Sequence, residues 1–227
     1  DFIEIGMPFS DPMADGPTIQ ESSQRALKAK MNIERCLSIV EKIRQTDNET
    51  PIILMGYFNP IYKYGREDFV KKAISYGVDG LIIVDLPPEE DNELYNYSEK
   101  NGLSFIRLVT PTTNEERLKT ILTDATGFVY YISITGITGT GMAKSDEVSK
   151  KLNQIRKYTT LPIIVGFGIK TLEQANEMAS ISEGIVIGSA VVENIKNSID
   201  ENGNPTNSTV LSCLKFVSDI SKNISNN

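Results

Sequence analysis

The sequence contains no histidine, and its 227 residues include only two cysteines, Cys36 and Cys213. Without imidazole, His-ligated metal sites and every His-dependent catalytic triad are excluded, which removes much of hydrolase chemistry. Two widely separated cysteines form no disulfide framework and suit a reducing compartment. No apolar run approaches the ~20 residues a membrane span requires, and the acidic opening Asp1-Phe2-Ile3-Glu4 is unlike a signal peptide. A soluble, cytoplasmic protein is expected. Basic side chains are also in deficit, 23 against 30 acidic ones, for a net charge of −7, and no Lys/Arg run forms a local exception. Such a field repels polyanions and disfavours nucleic-acid binding.

The chain does have enough apolar content, 40% of residues, to bury a full core. Its length suits a single α/β barrel. Seven short apolar runs read as strands covered on both faces: Phe2-Ile5, Pro51-Met55, Gly80-Val84, Ser104-Leu108, Phe128-Ile132, Pro162-Val165 and Gly184-Ile187. Helical spacing lies between them, as in Ile33, Leu37, Val40 and Ile43 and again in Val148, Leu152 and Ile155. Thr113-x-x-Glu116 and Thr171-x-x-Gln174 read as capping boxes, and Gly77 and Gly102 sit where helices must stop. A closed parallel barrel usually has eight strands, so the expectation is a (β/α)8 TIM barrel whose first βα unit is missing from this chain. An open doubly wound sheet is the alternative. The barrel is expected over 1–197 and a C-terminal helix with a polar tail over 198–227. That helix carries Val210, Leu211, Leu214 and Val217 at helical spacing after the break at Gly203-Asn204-Pro205.

In a parallel barrel the chemistry lies at the C-terminal strand ends. Glu4 falls inside the first apolar strand, where a carboxylate is costly unless it is satisfied or used. It is a candidate acid/base, with a structural ion pair or a solvent-facing position as the alternative. Asp15, in the following Asp15-Gly16-Pro17-Thr18, could be a second functional carboxylate or a turn residue accepting N–H bonds near a helix start. Two carboxylates at one strand end can divide labour, one moving protons while the other holds a substrate N–H, which suits carbon–carbon cleavage. Gly139, Gly168 and Gly188-Ser189 follow later strands. Glycines let backbone N–H groups approach an oxyanion and a helix N-terminus adds a favourable dipole, so these loops form a candidate phosphate cradle without any Lys or Arg.

The stretch Glu4-Ile5-Gly6-Met7-Pro8-Phe9-Ser10-Asp11-Pro12-Met13-Ala14-Asp15-Gly16-Pro17-Thr18-Ile19-Gln20 resembles the signature of the tryptophan synthase α subunit family. Further matches are Leu54-Met55-Gly56-Tyr57-Phe58-Asn59-Pro60, Asp79-Gly80-Leu81-Ile82-Ile83-Val84-Asp85-Leu86-Pro87-Pro88-Glu89-Glu90, Thr135-Gly136-Ile137-Thr138-Gly139, Gly166-Phe167-Gly168-Ile169 and Gly188-Ser189-Ala190. The resemblance implies a (β/α)8 barrel that cleaves indole-3-glycerol phosphate to indole and glyceraldehyde 3-phosphate by a retro-aldol route, with no cofactor in this subunit. It implies that Glu4 protonates the indole C3 and helps remove the glycerol hydroxyl proton, and that Asp15 accepts the indole N–H. It places Tyr130 beside both. It assigns Gly139, Gly168, Gly188 and Ser189 to the phosphate, and Ile19, Met55, Ile82, Ile132, Thr138 and Phe167 to the indole pocket.

The resemblance further implies a β subunit carrying pyridoxal phosphate, joined in an αββα assembly. Pro8, Asp11, Pro12, Asn59, Asp85 and Pro87 match positions near that interface. The Gly- and Thr-rich loop Ile134-Met142 is expected to act as a lid. The family's first βα unit has no counterpart here, which is expected to leave a barrel edge exposed. Other phosphate-binding barrels are the rival reading, but they lack the Glu4-to-Gln20 loop. A regulatory subunit that gates the β partner without turnover is a second.

Overall fold

The computed structural model of the protein describes residues 1–133, 145–166, 168–169 and 171–224. Along the chain run β1 (Ile3–Gly6), α1 (Pro17–Lys28), α2 (Ile33–Arg44), β2 (Ile52–Gly56), α3 (Phe58–Tyr64), α4 (Arg66–Ser75) and β3 (Gly80–Ile83). A 3-10 turn at Pro88–Glu90 then leads into α5 (Asn92–Lys100), β4 (Ser104–Phe105), β5 (Arg107–Val109), α6 (Glu115–Thr123) and β6 (Val129–Ile132). The remainder is α7 (Ser145–Ile155), β7 (Ile163–Gly166), α8 (Leu172–Ala179), β8 (Gly184–Ile185), α9 (Ser189–Ser198) and α10 (Asn207–Ile224). The chain divides into two compact units. The first is Asp1–Asp15, Ser23–Leu108 and Lys119–Phe128, and the second is Gly16–Ser22, Val109–Leu118 and Val129–Asn227.

The first unit is built on a parallel sheet in the order β1-β2-β3-β4, with Glu4 opposite Ile53 and Met55 opposite Ile82. Parallel neighbours need a crossover, and helices supply it. Helix α2 exists because Asn32 caps it, its side-chain oxygen accepting the Arg35 N–H, and because Ile33, Cys36, Leu37 and Val40 recur on one face and are buried. That face joins Ile52, Leu54, Leu81, Phe69 and Phe105 in one apolar core. Helix α4 ends at Gly77, whose φ of +91° lets the Val78 N–H turn back onto the Ala73 carbonyl before β3 begins. Arg44 fixes the base of this layer. It donates to the Gly77 carbonyl at 2.9 Å and pairs at 2.6 Å with Asp79, which also accepts the Ile52 N–H at 2.7 Å.

The second sheet runs β5-β6-β7-β8. Within the second unit, β6 pairs parallel with β7 and β7 with β8, and Val148, Leu152 and Ile155 of α7 are buried. In both sheets the strands follow chain order with no reversal. A doubly wound sheet would show a switch point, so this order is that of barrel segments. The capping box at Thr171 forms as expected, with Thr171 and Gln174 exchanging hydrogen bonds.

Two local expectations are corrected. The run Ser104-Leu108 is not one strand, since it breaks into β4 and β5 around Ile106, whose N–H still donates to Leu81 at 2.9 Å. Thr113 does not cap α6. That helix begins one residue later, with the Asn114 side chain accepting the Arg117 N–H at 2.8 Å, while Thr113 Oγ1 instead accepts the Thr110 N–H. Helix α10 forms as expected, with Val210, Leu211, Leu214 and Val217 64%, 68%, 62% and 49% exposed. The Ile134-Met142 loop lies outside the described residues.

One buried charge in the first unit is a liability with a partner. Arg107 and Asp91, 4% and 3% exposed at their side chains, form an ion pair, and the guanidinium lies over the Phe105 and Tyr95 rings. Breaking such a pair from one side strands a charge in low dielectric. Arg107→Met is therefore expected to lower stability by about 3–5 kcal/mol in urea titrations. Adding Asp91→Leu should recover much of the loss, and equal stability of the single variant and the unaltered protein would contradict this account.

Candidate active site

The site in the first unit begins with Glu4, in the middle of β1 and flanked by Ile3 and Ile5. One of its carboxylate oxygens is buried without a hydrogen-bond partner among the described residues. Loss of hydration there favours the neutral acid, and the charge of Asp15 adds to the effect, so the Glu4 pKa rises from an ordinary 4.5 to about 7. The two carboxyl groups therefore lie within each other's field.

The loop after β1 is bound to its neighbours at several points. The Met7 N–H donates to Met55 at 2.8 Å, which carries the β1–β2 ladder one step past the strand. Phe9 exchanges two hydrogen bonds with Ser23, at 2.9 and 3.0 Å. Further on, the Ala14 N–H donates to the Tyr57 hydroxyl at 3.0 Å, and that hydroxyl donates to Asp15 Oδ2, also at 3.0 Å. Burial raises the Asp15 pKa, while the Tyr57 hydrogen bond pulls it back. Tyr57 precedes α3, and the next backbone N–H, of Phe58, donates to Asp85 at 2.7 Å. Loops after three adjacent strands, β1, β2 and β3, are thus tied into one rim.

The sequence-chosen residues distribute as follows. In the first unit, Met55 and Ile82 are register partners on adjacent strands, Ile82 buried and Met55 half-buried. Asp11, Asn59, Asp85 and Pro87 are exposed, and Pro8 and Pro12 are half-buried. In the second unit, Tyr130 is buried on β6, and Ile19 and Ile132 are half-buried. A Cβ placed on Gly166 would fall 2.3 Å from the Tyr130 hydroxyl, so this ring position depends on the missing side chain. Gly168 has a φ of +86°, and Gly188 and Ser189 open α9, where unpaired N–H groups of a first helical turn can receive an anion. Gly139, Thr138 and Phe167 lie outside the described residues. Among the described residues no cluster of three or more His, Cys, Asp or Glu could hold a metal ion. Tyr57 was missed by the sequence reading. Its presence in the matched Leu54-to-Pro60 stretch, one residue past a strand end, was the available signal.

Parallel β/α units in chain order, with a half-buried acid inside a strand and a second acid on the adjoining loop, are the arrangement of a TIM-barrel enzyme. The family model described as "Tryptophan synthase alpha chain" matches residues 1–221. The chain is similar to tryptophan synthase subunit alpha from Legionella pneumophila str. Paris, at 38% identity and a TM-score of 0.90, over all of this chain and 82% of that one. It is similar also to a chain of the tryptophan synthase a2b2 complex from Pyrococcus furiosus, at 33% identity and a TM-score of 0.81, over all of this chain and 86% of that one. The chain belongs to the tryptophan synthase α family and has the α-subunit role in tryptophan biosynthesis.

Two consequences are measurable. The fold binds the Glu4 proton more tightly than the unfolded chain does, so its contribution to stability is fully present below about 4.5 and is lost as the pH rises through about 7. Glu4→Gln removes that dependence. At pH 8 this variant should be more stable than the unaltered protein by up to about 3 kcal/mol, with the difference shrinking towards pH 4 in urea titrations. Gly166→Ala should displace the Tyr130 ring and lower activity at least about tenfold with a smaller effect on stability, compared by assay and thermal melting.

Proposed function

We propose that Glu4 and Asp15 carry the α reaction, the retro-aldol cleavage of indole-3-glycerol phosphate to indole and glyceraldehyde 3-phosphate. The observation that carries this reading is the buried Glu4 carboxyl with a pKa of about 7, within the field of a second carboxyl whose hydrogen bond favours its ionised form. A group that titrates near neutrality is suited to give and take a proton in one cycle. Protonated Glu4 donates to the indole C3, which makes the ring an electron sink. Asp15, ionised, accepts the ring N–H and offsets the positive charge that develops there. Glu4, now a carboxylate, takes the proton of the glycerol hydroxyl as the carbon–carbon bond breaks. The electron pair passes into the ring and restores indole, and the released arm becomes the aldehyde.

Tyr130 is assigned to the same reaction, Met55, Ile82, Ile19 and Ile132 to the apolar pocket, and Gly168, Gly188 and Ser189 to the phosphate. Thr138, Gly139 and Phe167 keep the roles that the family match gives them. The chain itself needs no cofactor for these steps. A β subunit bearing pyridoxal phosphate is the proposed partner, in an αββα assembly, docking where Pro8, Asp11, Pro12, Asn59, Asp85 and Pro87 border the rim. The exposure of four of these six, and the tie between Phe58 and Asp85, support that placement. A cytoplasmic location fits the two free cysteines, and among the described residues no helix is long and apolar enough to cross a membrane.

Glu4→Gln is expected to lower kcat for indole release by about 10²–10⁴-fold while leaving KM within a few-fold. In the unaltered protein kcat/KM should fall on the alkaline side near pH 7, where Glu4 loses its proton. Unchanged indole release by the variant would remove Glu4 from the reaction, and no indole release by the unaltered protein, with activation of the β partner intact, would return the chain to the regulatory reading.

A further inference from the structure

We infer that Tyr57 is a positioning residue for the cleavage reaction, its hydroxyl holding the Asp15 carboxylate in the orientation that receives the substrate's ring N–H. The inference rests on the role proposed above for Asp15, and its support is geometric. The Tyr57 ring is 3% exposed and lies 5.4 Å from the Phe9 ring, so the side chain has little freedom. Its hydroxyl oxygen accepts the Ala14 N–H at 3.0 Å. A backbone N–H only donates, so that lone pair is committed and the hydroxyl proton is directed to its other partner, Asp15 Oδ2, at 3.0 Å. The bond therefore has a fixed direction. The backbone that carries Tyr57 is itself anchored, because the following Phe58 N–H is held by Asp85 at 2.7 Å.

The same bond sets the state of Asp15. Burial acts against its ionisation, and the carboxyl groups whose fields reach this pair, Glu4 on β1 and Asp85 on the loop after β3, are both acidic. The Tyr57 proton acts in the opposite sense, since a hydrogen bond to a carboxylate favours the charged form. Tyr57 remains a donor throughout the working range, because burial pushes its phenol up to about 12. The Tyr57 bond thus favours Asp15 as the acceptor while Glu4, close by, is held towards its protonated form.

The test is Tyr57→Phe in the full chain, which keeps the ring and removes only the hydroxyl. Cleavage of indole-3-glycerol phosphate should fall about ten- to a hundredfold in kcat with KM changed less than about threefold. The Asp15 carboxyl, followed by carbon NMR without substrate, should titrate at a pH higher by up to about one unit. An unchanged Asp15 titration would overturn the proposal, including the case in which activity is lost, since Tyr57 would then act on substrate or on packing. In the unaltered protein the Tyr57 hydroxyl proton should exchange slowly and shift the Asp15 carboxyl resonance on deuteration. The lack of any such shift would overturn the proposal whether or not the variant folds. Because the titration needs no turnover, it is independent of the Glu4→Gln assay on which the reaction reading stands or falls.

Discussion

The site depends on one unfavourable act, the removal of the Glu4 carboxyl from water. A lone acid in a strand between Ile3 and Ile5 would be tolerated as a surface residue at little cost, but here one of its oxygens is buried without a partner among the described residues. The stabilisation that offsets this comes from the apolar core of the first unit, where β2 and β3 pack with α2, α4 and α5. It also comes from the loop after β1, which is drawn against β2 by the Met7 to Met55 bond and held by Ser23 and Tyr57. A proton affinity near neutrality is the product of that exclusion of solvent.

The two acids begin with nearly the same chemistry, and burial raises both, with different neighbours acting on each. Glu4 is dominated by desolvation and by the neighbouring negative charge, so it holds its proton. Asp15 is also desolvated, which raises its pKa, and the Tyr57 hydroxyl offsets part of that rise in favour of the ion. Both carboxyl groups are raised, and it is Glu4, near neutrality, that is suited to give and take a proton at one pH. An overall charge of −7 does not by itself bar an anionic ligand, since main-chain N–H groups at a helix N-terminus bind anions without a basic surface.

Much of the secondary structure was legible because apolar continuity and helical spacing are local properties. Ile33, Leu37 and Val40 appear on the buried face of α2, and Gly77 and Gly102 take positive φ where helices stop. The failures are also physical. A five-residue apolar run states that Ser104-Leu108 is extended, but it does not say which ladder each half joins. Thr113 and Asn114 are both good caps, and only the surrounding hydrogen bonds, which engage Thr113 with Thr110, select the second. The spacing of Val210, Leu211, Leu214 and Val217 shows that α10 has an apolar stripe without showing what faces it.

By itself, the sequence determined the alternation of strands and helices, the absence of imidazole chemistry and the presence of an acid inside an apolar strand, since each is written in a few consecutive residues. Only the tertiary structure decided how that acid titrates and what holds its companion. The Glu4 pKa is set by solvent that other segments exclude, and Asp15 is bound by a tyrosine 42 residues away. Proton affinity is a property of the assembled environment, and no local pattern in the chain encodes it.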